Sequence, residues 1–147
     1  MTPLLDRAGI EALIPHAGAM SLWDALLEAS ERTVRMRTRS HLRADHPLRR
    51  DGRLSAVHLL EYGAQAMAVH GGWLAKQAAG SGARPGVLAA VRDLRLHVER
   101  LDDLDTDLEC EAQRLVANAG GWMYAFVLRA GAVEVGSGRA SVIHMPG

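Results

Sequence analysis

The stretch SAVHLLEYGAQAMAVHGGWLAKQ, residues 55 to 77, limits the possible folds more than any other part of the chain. Ser55 is a good N-cap, and helix formers follow it without a proline, so a helix is expected from about Ala56 to Ala79, loosened at Gly71-Gly72. Its apolar residues surround the axis, and Gly63, Ala64, Ala66, Ala68, Gly71 and Gly72 add almost no bulk. A helix lying on a surface would carry a wide polar face. This one must be covered on nearly every side.

The flanking chain has the periodicity of a cover. Val34, Met36 and Thr38 alternate with Arg35, Arg37 and Arg39, as in a strand with one packed and one wet face. The same alternation recurs at Leu94, Leu96 and Val98, then at Leu108, Cys110 and Ala112, then in the bulky stripe Trp122, Tyr124, Phe126 and Leu128. Glycine-containing turns at 118–121 and 130–132 separate the last strands as hairpin connections do. A short helix from Asp6 to Leu13, closed by Pro15, precedes two strands; four strands follow the long helix. The chain therefore reads as one α+β domain over residues 1–147, with a curved antiparallel six-stranded sheet wrapped around a central helix. An open sheet has edges, and an edge strand with unpaired backbone invites a second copy, so a two-fold dimer is expected.

Length and composition agree with this. At 147 residues, 48% hydrophobic and 23% charged, the chain suits one soluble core. No apolar run approaches the ~20 residues of a membrane span, and the N-terminus lacks the basic head and apolar block of a signal peptide. A cytoplasmic protein is expected. The single cysteine, Cys110, excludes an intrachain disulfide and reads as a small buried hydrophobe. Zero net charge argues against a duplex nucleic-acid binder. The charge is nonetheless unevenly spread: residues 32–53 hold eight arginines against two acids, and residues 93–111 hold eight acids against two arginines. Either these are solvated faces, or the basic segment steers an acidic partner.

Inside the apolar helix stand Glu61 and, one turn on, Gln65, which project to the same side. A lone helical glutamate is ordinarily solvated or ion-paired. A buried one is costly, and desolvation would raise its pKa until it carried a proton it can donate. His46, in the polar loop upstream, is a complementary base if that loop folds back onto the helix. His58, one turn before Glu61, reads as a helix-face residue. His41 and His46 do not make a convincing metal site, which needs three or four converging ligands. No glycine-rich phosphate loop and no Gly-x-Ser-x-Gly elbow is present.

Taken together, LIPHAGAMSLWDALLEAS at 13–30, HPL at 46–48, GRLSAVHLLEYGAQAMAVHGG at 52–72 and RPGVLAAVRDLRL at 84–96 resemble the 3-hydroxyacyl-acyl-carrier-protein dehydratases of the hot-dog superfamily. The likeness is greatest to the divergent branch found in aryl-polyene pigment clusters. It implies a site shared between subunits, in which His46 removes the C2 proton of a 3-hydroxyacyl thioester and Glu61 protonates the departing 3-hydroxyl, leaving a trans-2-enoyl thioester. It further implies that the amides near Ala56 and Val57, at the helix start, stabilise the thioester oxygen, that Gln65 positions the substrate, and that His16 is structural. No bound cofactor is implied, because the substrate arrives on a phosphopantetheine arm, delivered by acyl carrier protein or as an acyl-CoA thioester. Arg43, Arg49, Arg50 and Arg53 would attract an acidic carrier. The resemblance implies a homodimer or a heteromeric hot-dog assembly.

The stretch HPLRRDGRLSA departs from the family pattern: it has one glycine, serine stands where proline is usual, and the interval from His46 to Glu61 is about one residue longer. Two other readings therefore stand beside dehydration. One is a thioester hydrolase with Glu61 as base. The other is a weakly catalytic subunit that binds a carrier protein or an active partner.

Overall fold

The long helix, α2, spans Leu59–Gln77 and is entered through one 3₁₀ turn, Ala56–His58, capped by the Ser55 side chain. The computed structural model describes residues 2–14, 18–78, 86–118 and 120–144. The helix runs unbroken through Gly71-Gly72, because both glycines serve close packing. A Cβ on Gly72 would lie 2.6 Å from the Leu13 carbonyl oxygen, and one on Gly71 would lie 3.2 Å from the Trp122 ring. Ten of its residues are buried, among them Tyr62, Gln65, Met67 and His70.

Around it curls one antiparallel sheet. In chain order its strands are β1 (Leu5–Asp6), β2 (Ala25–Ala29), β3 (Thr33–Thr38), β4 (Gly86–Leu96), β5 (Leu108–Asn118), β6 (Gly121–Ala130) and β7 (Val133–His144). In space they run β1-β2-β3-β5-β6-β7-β4. The expected α+β arrangement of sheet around helix is thus observed, with seven strands in place of six. The extra strand is the two-residue β1, which pairs Leu5 with Leu26 and is too short to show a period. It also takes the start of the expected first helix, leaving α1 as Arg7–Glu11, capped by the Asp6 carboxylate on the Gly9 amide at 3.0 Å.

Alternation places the core as expected for β3, β5 and β6: Val34, Met36, Leu108, Cys110, Ala112, Tyr124, Phe126 and Leu128 all face α2 and are buried. Burial pushes the Cys110 thiol well up, so it stays protonated packing material. On β4 the alternation has a different outcome. This edge strand pairs only with β7, and Leu88, Leu94 and Leu96 remain exposed.

The register of β3 against β5 sets Arg35 opposite Glu111 and Arg37 opposite Glu109. Arg39 reaches Asp107 at 2.8 Å, Arg37 lies 3.9 Å from the same carboxylate, and Arg35 bonds Glu28 at 2.8 Å. Much of the charge asymmetry along the chain is therefore cancelled across one strand pair. Such exposed pairs add little stability individually. Their effect is to offset the charge of Arg35, Arg37 and Arg39 with acids close by, as Asp45 does for Arg43 and Asp102 for Arg49.

Candidate active site

Gln65 is the hinge of the arrangement. It sits on the buried side of α2, and its Oε1 accepts from the Leu22 amide at 2.9 Å, while its Nε2 donates to the Met20 carbonyl at 2.7 Å and to Glu61 Oε1 at 3.1 Å. The first two bonds pin the chain entering β2 to the helix; the third orients the carboxylate one turn earlier. An amide is required for this, since the site needs one acceptor and two donors on one planar group. Glu61 itself is half-buried.

His46 is brought to the same helix, but to a different side chain. The loop folds back and buries the imidazole, whose Nε2 lies 3.1 Å from the Tyr62 hydroxyl. The protons in this chain can be assigned. Ser40 Oγ bonds the Leu22 carbonyl at 2.7 Å and so must donate to it. Ser40 then accepts from the Tyr62 hydroxyl at 2.8 Å, and Tyr62 accepts from His46 Nε2–H. His46 Nδ1 accepts from the Leu48 amide at 3.1 Å, which fixes the same tautomer independently. The ring is neutral: burial, then the nearby Arg43 and Arg49 guanidinium groups, push its pKa down to about 4. Burial likewise raises Tyr62, keeping it a phenol.

At the helix start the Ala56 amide donates to the Glu99 carbonyl at 3.0 Å, and the Val57 amide to Ser55 Oγ at 3.3 Å. Both amides are thus engaged within the chain. His58 is half-buried and lines a cavity of about 240 Å³ together with Arg50, Arg53, Ser55, Glu99 and Arg100. The wall behind it is built around Asp102, which accepts from the Leu54 amide at 2.8 Å and from Arg100 Nε at 3.0 Å, and lies 3.6 Å from Arg49. The Arg100 hydrogen bond holds that carboxyl well below the usual range.

Of the residues singled out in the sequence, the structure joins Glu61 to Gln65 and brings His46 to the neighbouring Tyr62. Ala56 and Val57 stand at the start of the helix, and His16 lies outside the described residues. Two members of the hydrogen-bonded group, Tyr62 and Ser40, carry no sequence signal. A tyrosine among alanines and leucines reads as core, and Ser40 sits 22 residues upstream of its partner.

This geometry can be compared with known folds. The chain is similar to a chain of the dehydratase heterocomplex ApeI:P from Xenorhabdus doucetiae, with a TM-score of 0.82 at 20% identity, covering 93% of this chain and 91% of that one. It is also similar to Cj0977, a sigma28-regulated virulence protein from Campylobacter jejuni, with a TM-score of 0.64 at 12% identity, covering 97% and 92% of the two chains. S. sahachiroi AziG matches with a TM-score of 0.61 at 16% identity over 90% of this chain and 98% of that one. Comparison with curated proteins finds no match. Identities this low establish the hot-dog fold and nothing about chemistry. The family model described as ApeP dehydratase goes further, because it matches residues 8–146 and so takes in the Gln65 clamp, the His46 loop and all of the sheet from β2 onward. By that match the chain belongs to the ApeP-like dehydratase family.

Proposed function

We propose that this protein takes part in the removal of water from a 3-hydroxyacyl thioester carried by acyl carrier protein. The observation that carries the proposal is the Glu61–Gln65 pair: a carboxyl held at 3.1 Å by an amide that is itself immobilised, on the helix that the dehydratase family model spans. In the reaction the C2–H bond breaks toward His46, the C3–O bond breaks as the Glu61 carboxylic acid protonates the hydroxyl, and the electron pair left at C2 becomes the C2–C3 double bond. Return of the proton from imidazolium to carboxylate resets the site. The thioester oxygen would take the Val57 amide, whose 3.3 Å contact to Ser55 is the weaker of the two at the helix start. A second protomer at the exposed β4 edge would complete the cavity.

The test is the conversion of a 3-hydroxyacyl-carrier protein to its enoyl form, read as the loss of one water by mass. Glu61→Gln is expected to reduce the rate by about 10²-fold or more, the scale of a lost general acid. A variant that turns over normally would remove Glu61 from the chemistry.

The proton assignment at His46 favours a second reading. A ring that donates from Nε2 and accepts at Nδ1 has its one lone pair held by the Leu48 amide and none to offer until that bond is broken. In that reading His46 anchors its loop, the imidazole base comes from a different hot-dog subunit, and the chain is active only in a heteromer. His46→Gln separates the two: it abolishes turnover in the first reading, whereas in the second it lowers stability and leaves the reconstituted activity intact.

A further inference from the structure

Asp51 and Gly52 have φ values of 53° and 74°, the two positive angles of a type I′ turn. That turn makes Arg50 and Arg53 a hydrogen-bonded pair, with N–H to carbonyl distances of 2.8 and 2.9 Å in the two directions. Residues so paired project to the same face. Both residues line the cavity that also receives Leu48, Ser55, His58 and Arg100, with Glu99 as the one acid among its lining residues. Like charges set directly across a strand pair repel. Elsewhere in this region the arginines are neutralised: Arg100 is held by Asp102 and Asp103, Arg49 by Asp102, and Arg43 by Asp45. The Arg53 side chain has no hydrogen bond or ion pair among the described residues, and the Arg50 side chain has one hydrogen bond, to the Arg49 carbonyl at 3.4 Å. A hairpin that forces two unneutralised guanidinium groups to one side, beside an imidazole and the hydroxyl at a helix start, is a receptor for an anion with several oxygens.

We propose that Arg50 and Arg53, with Ser55 and His58, form a phosphate-ester site that grips the phosphate of the pantetheine-type arm bearing the substrate. This deepens the function proposed above and rests on its thioester substrate. Glu99, the one acid among the lining residues, disfavours a group of higher charge crowding the cavity and would accept from hydroxyl or amide donors next to the phosphate. Two sources present this chemistry: the phosphodiester of a carrier protein's prosthetic arm, and the phosphates of coenzyme A.

Binding separates these possibilities without any turnover. Calorimetric titration at low ionic strength, where exposed charges are least screened, compares pantetheine, 4′-phosphopantetheine and coenzyme A on the full-length protein. Phosphopantetheine is expected to bind about tenfold or more tightly than pantetheine, and the double variant Arg50→Gln/Arg53→Gln to erase that difference with an unchanged melting curve. Arg129→Gln, remote in sequence and paired with Glu134, is the control and keeps it. A preference shown only by coenzyme A and lost in the double variant assigns the site to the nucleotide phosphates; one shown by phosphopantetheine assigns it to the arm common to both carriers. Equal binding of pantetheine and both phosphates, or a preference that survives the double substitution, overturns the site. Because no catalysis is measured, phosphate-dependent binding with no dehydration would refute the reaction and uphold the site. Dehydration with no phosphate preference would do the reverse.

Discussion

His46 has a folded-state pKa of about 4, below its ordinary 6.5, and His41 and His70 are displaced in the same direction by burial. A histidine whose pKa is depressed on folding binds fewer protons in the native state than in the unfolded one. Stability is therefore complete above about pH 6.5 and declines as the pH falls from 6.5 toward 4, where the unfolded chain is protonated and the native rings are not. Asp102, also depressed, contributes its full stabilisation above its ordinary 3.8 and loses it only as the pH falls below that value, so it adds little slope in this window. Urea midpoints measured from neutrality down to about pH 4 are expected to fall steadily, and His46→Gln to lessen the slope. A slope indifferent to that substitution would show that the ring is solvated. That His46 lies in the loop upstream of the helix was legible from the sequence; whether that loop folds back, and onto which side chain, was not. Tyr62 is one residue beyond the glutamate that spacing picks out, and which of two adjacent side chains meets a loop depends on the entry angle of the helix.

At the level of elements, β3, β5 and β6 follow directly from their period of 2, because each has a buried face that repeats, and the long helix follows from its Ser55 cap and unbroken run of helix formers. Two features escape that logic. β1 is formed by two residues held by their neighbour β2, and the 3₁₀ entry to α2 is drawn tight by the Ala56 amide reaching Glu99, a contact made across the chain. Periodicity also gave no warning that Gly71-Gly72 would seat the helix closely where the sequence suggested a loosening. The consequence is measurable. Ala has the higher helix propensity by about 1 kcal/mol, yet Gly72→Ala is expected to destabilise by roughly 1–2 kcal/mol, because its Cβ meets backbone that cannot swing away. Gly63→Ala meets only the Phe126 ring, at 3.1 Å, and is expected to cost less. Chemical denaturation of both variants checks the order; the reverse order would mean that the Leu13 backbone yields more readily than a packed aromatic ring.

For the whole molecule, the sheet ends at β4 in a line of exposed leucines, with one side of the strand unpaired. Lysine is among the residues that natural edge strands use to prevent pairing. If the proposed dimer forms at this edge, Leu88→Lys/Leu96→Lys is expected to leave the protein monomeric in light scattering, where the unaltered chain is dimeric, and to abolish dehydration, since the proposed site draws on two protomers. A double variant that stays dimeric would place the interface on another surface. The order of strands has a bearing on how the polypeptide is made. β4 is produced directly after the central helix, but its only neighbour within the chain is β7, residues Val133–His144. During synthesis the ribosome thus exposes a leucine-studded ribbon whose mate is the last strand to emerge. The middle of the protein must wait, with both margins open to other nascent chains, until its far end has been delivered.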